Sequence, residues 1–163
     1  MFTPDSSRIY SIVPVKDTAE DCVKIQELCL PYDGCRFGRV GSAFFSSEVI
    51  SEAIKDTEVT LNEQRHLHFI TKSMANEKVT LGFFCVDGDV VGYGCMIERI
   101  RNLGIVIRYD LKGTGLASFF AERFMVRYED KIAEFGKPNG ALYRLAMTRK
   151  EKMQNNIQQA TAL

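Results

Sequence analysis

The run Ile105-Val106-Ile107-Arg108-Tyr109-Asp110-Leu111-Lys112-Gly113-Thr114-Gly115-Leu116-Ala117 constrains this chain more than any other stretch. Its β-branched start, opened by Gly104, reads as a strand. A short loop with two glycines follows, and a long amphipathic pattern starts at Thr114 or Gly115. The first four N–H groups of a helix lack partners inside it, and the helix dipole puts partial positive charge at the same end. A strand, a glycine loop and a helix N-terminus in that order can therefore form an anion site suited to phosphate. Gly113 and Gly115 let the backbone approach a ligand with no Cβ in the way. The same residues also read as a tight strand-to-helix turn that binds nothing.

The length of 163 residues fits one domain over residues 1–163, with residues 1–8 as a loose arm. Lys plus Arg and Asp plus Glu both number 21, and the resulting absence of net charge argues against a general nucleic-acid binder. No apolar run approaches the ~20 residues of a membrane span. Met1-Phe2-Thr3-Pro4-Asp5 lacks the basic and apolar regions of a signal peptide, which points to the cytoplasm. The five cysteines, Cys22, Cys29, Cys35, Cys85 and Cys95, are odd in number and contain no CxxC, as expected for free thiols in a reducing compartment. Cys29, Cys35, His66 and His68 match no standard zinc-ligand spacing, so no metal is expected. His66 and His68 read as surface or satisfied core groups. A Walker-type site is excluded by the lack of a G-x-x-x-x-G-K-[ST] run.

Along the chain, residues 9–14 read as a first strand, ended by Pro14 and Asp17. Thr18 with Asp21 resembles a capping box, and Cys22, Ile25, Leu28 and Cys29 recur at helical spacing, so residues 19–30 read as a helix. Pro31, Gly34, Gly38 and Gly41 mark a loop. Ser46 or Ser47 opens a short helix with Val49, Ile50, Ala53 and Ile54 on one face. Thr60 with Glu63 opens another, to about residue 74. Residues 79–86 and 90–98 read as strands joined by Asp87-Gly88, a strong hairpin signal. Gly92 and Gly94 point to a bulge or a close approach. A turn at 101–104 leads to a strand over 105–109. Leu116, Phe119, Phe120, Phe124, Tyr128 and Ile132 predict a helix to Phe135, stopped by Gly136 and Pro138. Residues 141–147 read as a further strand and 150–162 as a last helix. The order β-α-α-β-β-β-α-β-α gives an α/β (α+β) layer fold with a mostly antiparallel central sheet.

In this setting the chain resembles the GNAT superfamily of acyl-CoA-dependent N-acyltransferases over most of residues 9–157. Ile12-Val13-Pro14-Val15-Lys16-Asp17-Thr18-Ala19-Glu20-Asp21 is similar to the family's first strand and helix. Val86-Asp87-Gly88-Asp89-Val90-Val91-Gly92-Tyr93 is similar to its hairpin. Asp110-Leu111-Lys112-Gly113-Thr114-Gly115 resembles the acyl-CoA loop, whose usual form is Arg or Gln, two residues, Gly, any residue, then Gly or Ala. The resemblance implies that backbone N–H groups of Leu111, Lys112, Gly113, Thr114, Gly115 and Leu116 hold the pyrophosphate of coenzyme A. It implies that Ile105, Val106 and Ile107 pair with the pantetheine arm, and that an N–H near Val106 polarises the thioester carbonyl. A primary amine, on a small molecule or a protein, would attack acetyl-CoA or another acyl-CoA directly.

Glu98, near the end of the third strand, is the base that the resemblance implies. Tyr109 and Tyr143 are alternative proton donors. Asp110 departs from the pattern, since a carboxylate stands where the family has Arg or Gln. Residues 150–163 hold Asn155 and Asn156 but not the Tyr that the family's corresponding helix carries, and the closing strands are expected to be missing or reduced. A sheet ending at residues 141–147 would leave an open edge, from which a homodimer is expected. Two other readings stand beside catalysis: a GNAT-like binding or scaffold protein without activity, and an unrelated α/β interaction domain.

Overall fold

The structure, a computed structural model, describes residues 2–33, 44–55, 78–134 and 136–161. The elements in order are β1 (Tyr10–Pro14), α1 (Ala19–Asp33), α2 (Ser47–Ile54), β2 (Val79–Val86), β3 (Asp89–Ile97), β4 (Asn102–Ile107), a 3-10 turn (Tyr109–Leu111), α3 (Leu116–Arg127), α4 (Glu129–Glu134) and α5 (Ala141–Thr161). The expected helix over residues 60–74, His66, His68, Cys35 and most of the loop after Pro31 lie outside the described residues.

The strands form one antiparallel sheet in the order β1-β2-β3-β4. The fold is thus mixed α/β, with an antiparallel sheet flanked by helices. Alternation along the strands sends side chains to both faces. Phe84, Val86, Met96, Leu103 and Ile107 pack with Phe119, Phe120, Phe124 and Ile132 of α3 and α4, and with Leu142 and Ala146 of α5. Leu81, Phe83, Cys85, Tyr93 and Cys95 pack on the other face with Cys22, Ile25, Leu28 and Cys29 of α1 and Ile50 of α2. Burial on both faces explains why β2 and β3 read as nearly continuous apolar runs.

Local chemistry accounts for the joints. Asp87 and Gly88 both have positive φ, 52° and 84°, as a two-residue hairpin turn demands. The Asp87 carboxylate also accepts the Ile9 N–H at 2.8 Å, which ties the start of β1 to the turn. Thr18 Oγ1 caps α1 by accepting the Asp21 N–H at 3.3 Å. Ser46 caps α2 in the same way through Val49 N–H. Val91 is the extra residue of a bulge where β3 slips against β2 between Phe84 and Cys85. The bulge sits beside Gly92, where a Cβ would lie 2.4 Å from the Val106 carbonyl oxygen.

Three expectations are corrected. Residues 141–147 are not a strand but the first two turns of α5, which runs unbroken from Ala141 to Thr161. Leu142 and Ala146 are fully buried at i, i+4 spacing, so the helical period prevails over a short apolar run that also suits a strand. The open edge expected there does not exist; among the described residues the sheet ends at β1 and β4. Secondly, the helix expected to reach Phe135 breaks at Tyr128, whose φ and ψ of −112° and 24° leave the helical region, and α4 restarts with Glu129 and Asp130 in its first turn. Thirdly, α1 continues past Leu30 and carries Pro31 within it to Asp33.

Candidate functional site

The site is built at the β4 edge and the loop that follows it. Arg108 N–H donates to the Val91 carbonyl at 2.7 Å, and Leu103 N–H donates away from β3, to the Asn139 carbonyl at 2.8 Å. Alternation along a strand then turns the N–H and C=O of Ile105 and Ile107 toward the open edge, and those of Gly104 and Val106 toward β3. The edge donors are thus Ile105 and Ile107, flanking the expected Val106. Asn139, in a single parallel bridge with Asn102, closes the near end of this edge. Tyr32, from the last turn of α1, closes the far end by donating its hydroxyl to the Ile107 carbonyl. Between them, Ile105 has no backbone partner on its outer side among the described residues.

Beyond β4 the chain makes the 3-10 turn and reaches α3. Leu111 N–H donates to the Arg108 carbonyl (2.8 Å), Lys112 N–H to Tyr109 (3.3 Å) and Thr114 N–H to Leu111 (3.4 Å). Thr114 Oγ1 donates to the Leu111 carbonyl at 2.7 Å and accepts the Leu116 N–H at 3.4 Å. Four of the six expected donors therefore brace the loop itself. Gly113 and Gly115 are the two whose N–H groups have no partner among the described residues. Both have positive φ, 77° and 85°, which places glycine there for conformational reasons. A Cβ at Gly113 would meet nothing within 4 Å, whereas one at Gly115 would lie 2.8 Å from Phe2 Cβ. The loop tip is thus open at Gly113 and covered at Gly115 by the N-terminal arm, which packs its Phe2 ring against Phe119 at 5.2 Å.

Charge around the loop is arranged locally. Asp110 receives Arg108 through Nε at 2.7 Å and Nη2 at 3.1 Å. This bidentate hydrogen bond holds the Asp110 carboxyl below its ordinary value and raises the Arg108 guanidinium. Lys112 Nζ lies 4.8 Å from the Tyr109 ring centre and 5.2 Å from that of Tyr32, and the two rings meet edge to face at 5.4 Å. Behind the α3 N-terminus a cavity of about 150 Å³ is lined by Phe2, Gly115, Ser118, Thr148, Arg149 and Lys152. Arg149 is committed to Glu122 at 2.6 Å.

The expected acid–base residues are spread widely. Glu98 is half-buried in the turn after β3, at the end of β4 remote from the loop; its carbonyl accepts the Arg101 N–H at 3.1 Å. Tyr109 lies on the 3-10 turn beside the loop and is 53% exposed. Tyr143, expected on a strand, lies on α5 against the core of that face. Tyr32, Phe2, Arg149 and Lys152 were not legible as site residues, because only tertiary packing brings α1, the arm and α5 to the loop. Among the described residues no group of three or more His, Cys, Asp or Glu could hold a metal, and no helix is long and apolar enough to cross a membrane. No protein-family model matches the chain, and no curated protein matches it.

Proposed function

We infer that this chain is a GNAT-like N-acyltransferase that moves an acetyl or other acyl group from coenzyme A to a primary amine. One observation carries the reading: the outer edge of β4, open at Ile105 among the described residues, leads directly into an exposed loop whose Gly113 and Gly115 N–H groups have no partner among those residues, and then into the α3 N-terminus. Such an alignment suits a ligand that is an extended amide chain at one end and a pyrophosphate at the other.

In this reading the amine nitrogen attacks the thioester carbonyl, the C–S bond breaks, and an amide and a thiol form. The nitrogen gives up a proton and the leaving sulfur takes one. An arm laid along β4 from the loop delivers its thioester toward the end of the strand where Glu98 lies, so Glu98 is the candidate base. Tyr32 sits at the opposite, loop end of β4, away from a thioester delivered there, so the proton that Glu98 takes from the amine is the one available to the leaving sulfur. The reading places the enzyme in the cytoplasm, in keeping with the buried free thiols of Cys22, Cys85 and Cys95.

The alternative is a GNAT-like binding or scaffold protein. Phe2 over Gly115 and the Tyr32 hydroxyl on the Ile107 carbonyl favour it, since both occupy positions the coenzyme would use. Thiol release from acetyl-CoA, followed across polyamines, amino acids and lysine peptides, separates the two. The enzyme reading expects amine-dependent release that falls about 10²-fold in Glu98→Gln. Binding of acetyl-CoA with no release for any amine would leave the scaffold.

A further inference from the structure

The opposite edge of the sheet carries a second feature that the acyl-transfer reading does not use. β1 is an edge strand, and Val15 N–H donates to the Leu81 carbonyl at 3.1 Å while Ile9 C=O accepts the Asp87 N–H at 2.8 Å. The odd residues of β1 therefore pair with β2, and the N–H and C=O of Tyr10 and Ile12 point outward, without backbone partners among the described residues. Pro14, having no N–H, ends the usable edge.

A groove of about 520 Å³ runs along this edge between Tyr10, Ser11 and Ile12 of β1 and Arg123, Val126 and Arg127 of α3, closed by Arg149 and Met153 of α5. Its charge is one-sided. Glu122 is neutralised by Arg149 at 2.6 Å, whereas Arg123 and Arg127 make no ion pair within 4 Å among the described residues. Arg123 instead rests over the Phe119 ring at 4.5 Å, which fixes its guanidinium at the rim. Apolar side chains stand exposed on both sides of the strand: Val126 at 66% and Met153 at 43% in the groove, Ile9 at 71% and Val13 at 44% on the other face.

We propose that the β1 edge and this groove bind an acidic peptide segment of another protein in extended form, added to the sheet as a further strand. Tyr10 and Ile12 supply the main-chain hydrogen bonds. Alternation along the added strand sends one set of its side chains toward α3, where carboxylates meet Arg123 and Arg127, and the other set toward Ile9 and Val13. The outward N–H and C=O pattern matches a peptide main chain and has no counterpart in a nucleic-acid backbone.

The test uses the whole chain and an eight-residue peptide alternating valine and glutamate, with a valine–lysine version and a version N-methylated at alternate positions as controls. In amide NMR titrations the glutamate peptide shifts Tyr10 and Ile12 and binds more weakly as salt rises. The paired change Arg123→Glu and Arg127→Glu, made at exposed positions and checked by circular dichroism, lowers affinity about tenfold or more. N-methylation abolishes the shifts at Tyr10 and Ile12. The proposal is overturned if the peptide at millimolar concentration leaves those amides unmoved, if the lysine peptide binds equally well, or if the arginine changes leave affinity unaltered. A concentration-dependent dimer that the same changes dissolve would also overturn it, assigning the edge to a second copy of this chain.

Discussion

Arg108 and Asp110 decide how the loop presents charge. A bare carboxylate beside this loop would repel a pyrophosphate, but here its charge is matched by the Arg108 guanidinium at 2.7 Å. Because the folded-state pKa of Asp110 is depressed, the contribution of this pair is present above the ordinary carboxylate value near 4 and is lost only as pH falls through the lower folded value. Between pH 5 and pH 8 the pair is unchanged. Asp110→Asn removes one negative charge and frees Arg108, so coenzyme A should bind about two- to threefold more tightly, and more so at low salt. Calorimetry that finds weaker binding would mean the carboxylate is needed to hold the loop in shape. The two loop glycines should differ. Gly113→Ala strains φ by about 1–2 kcal/mol without a clash and should weaken coenzyme binding far more than folding. Gly115→Ala adds a collision with Phe2 and should lower the melting temperature further. Cys95 gives a pH signature of the core. Burial pushes its thiol up to about 12, so its contribution is complete below the ordinary thiol value near 9 and is lost as pH rises from there toward 12. Urea midpoints should decline on raising pH above 9, and less steeply in Cys95→Ala; parallel declines would assign the loss to other groups.

At the scale of elements, the legible parts were those whose signal is local. Asp87-Gly88 fixed a hairpin, Thr18 and Ser46 fixed helix starts, and the stripe from Leu116 to Phe124 fixed α3. The misread parts depended on contacts distant in sequence. Residues 141–147 form a short apolar run that also suits a strand, and only burial of Leu142 and Ala146 against β4 and α3 makes them helical. Nothing around Tyr128 breaks a helical pattern, yet its ring packs against Phe124 at 4.7 Å where the chain turns. Gly94 points to a close approach, and the structure shows what approaches: a Cβ there would lie 2.7 Å from a Phe124 ring carbon and 2.9 Å from the tip of Phe84. Gly94→Ala should therefore destabilise by about 1–3 kcal/mol through overpacking. A denaturation midpoint equal to that of the unmodified chain would show that α3 can move off the sheet without loss.

At the scale of the whole molecule, the sheet separates two unrelated opportunities. Its β4 edge and glycine loop were legible in advance, because strand, loop and helix start are contiguous in sequence. The parts that cover them, Tyr32 on Ile107 and Phe2 on Gly115, come from segments about 75 and 113 residues away and left no local trace. If this edge and loop take an acyl-coenzyme A, thermal melting with and without acetyl-CoA reads the binding. At ~100 times its Kd the ligand should add about 2.7 kcal/mol, equivalent to roughly 5–11 °C for a chain of this size. The shift should shrink in Gly113→Ala and persist in Glu98→Gln. A melting temperature unmoved by millimolar acetyl-CoA would contradict the claim and leave the loop as a turn between a strand and a helix.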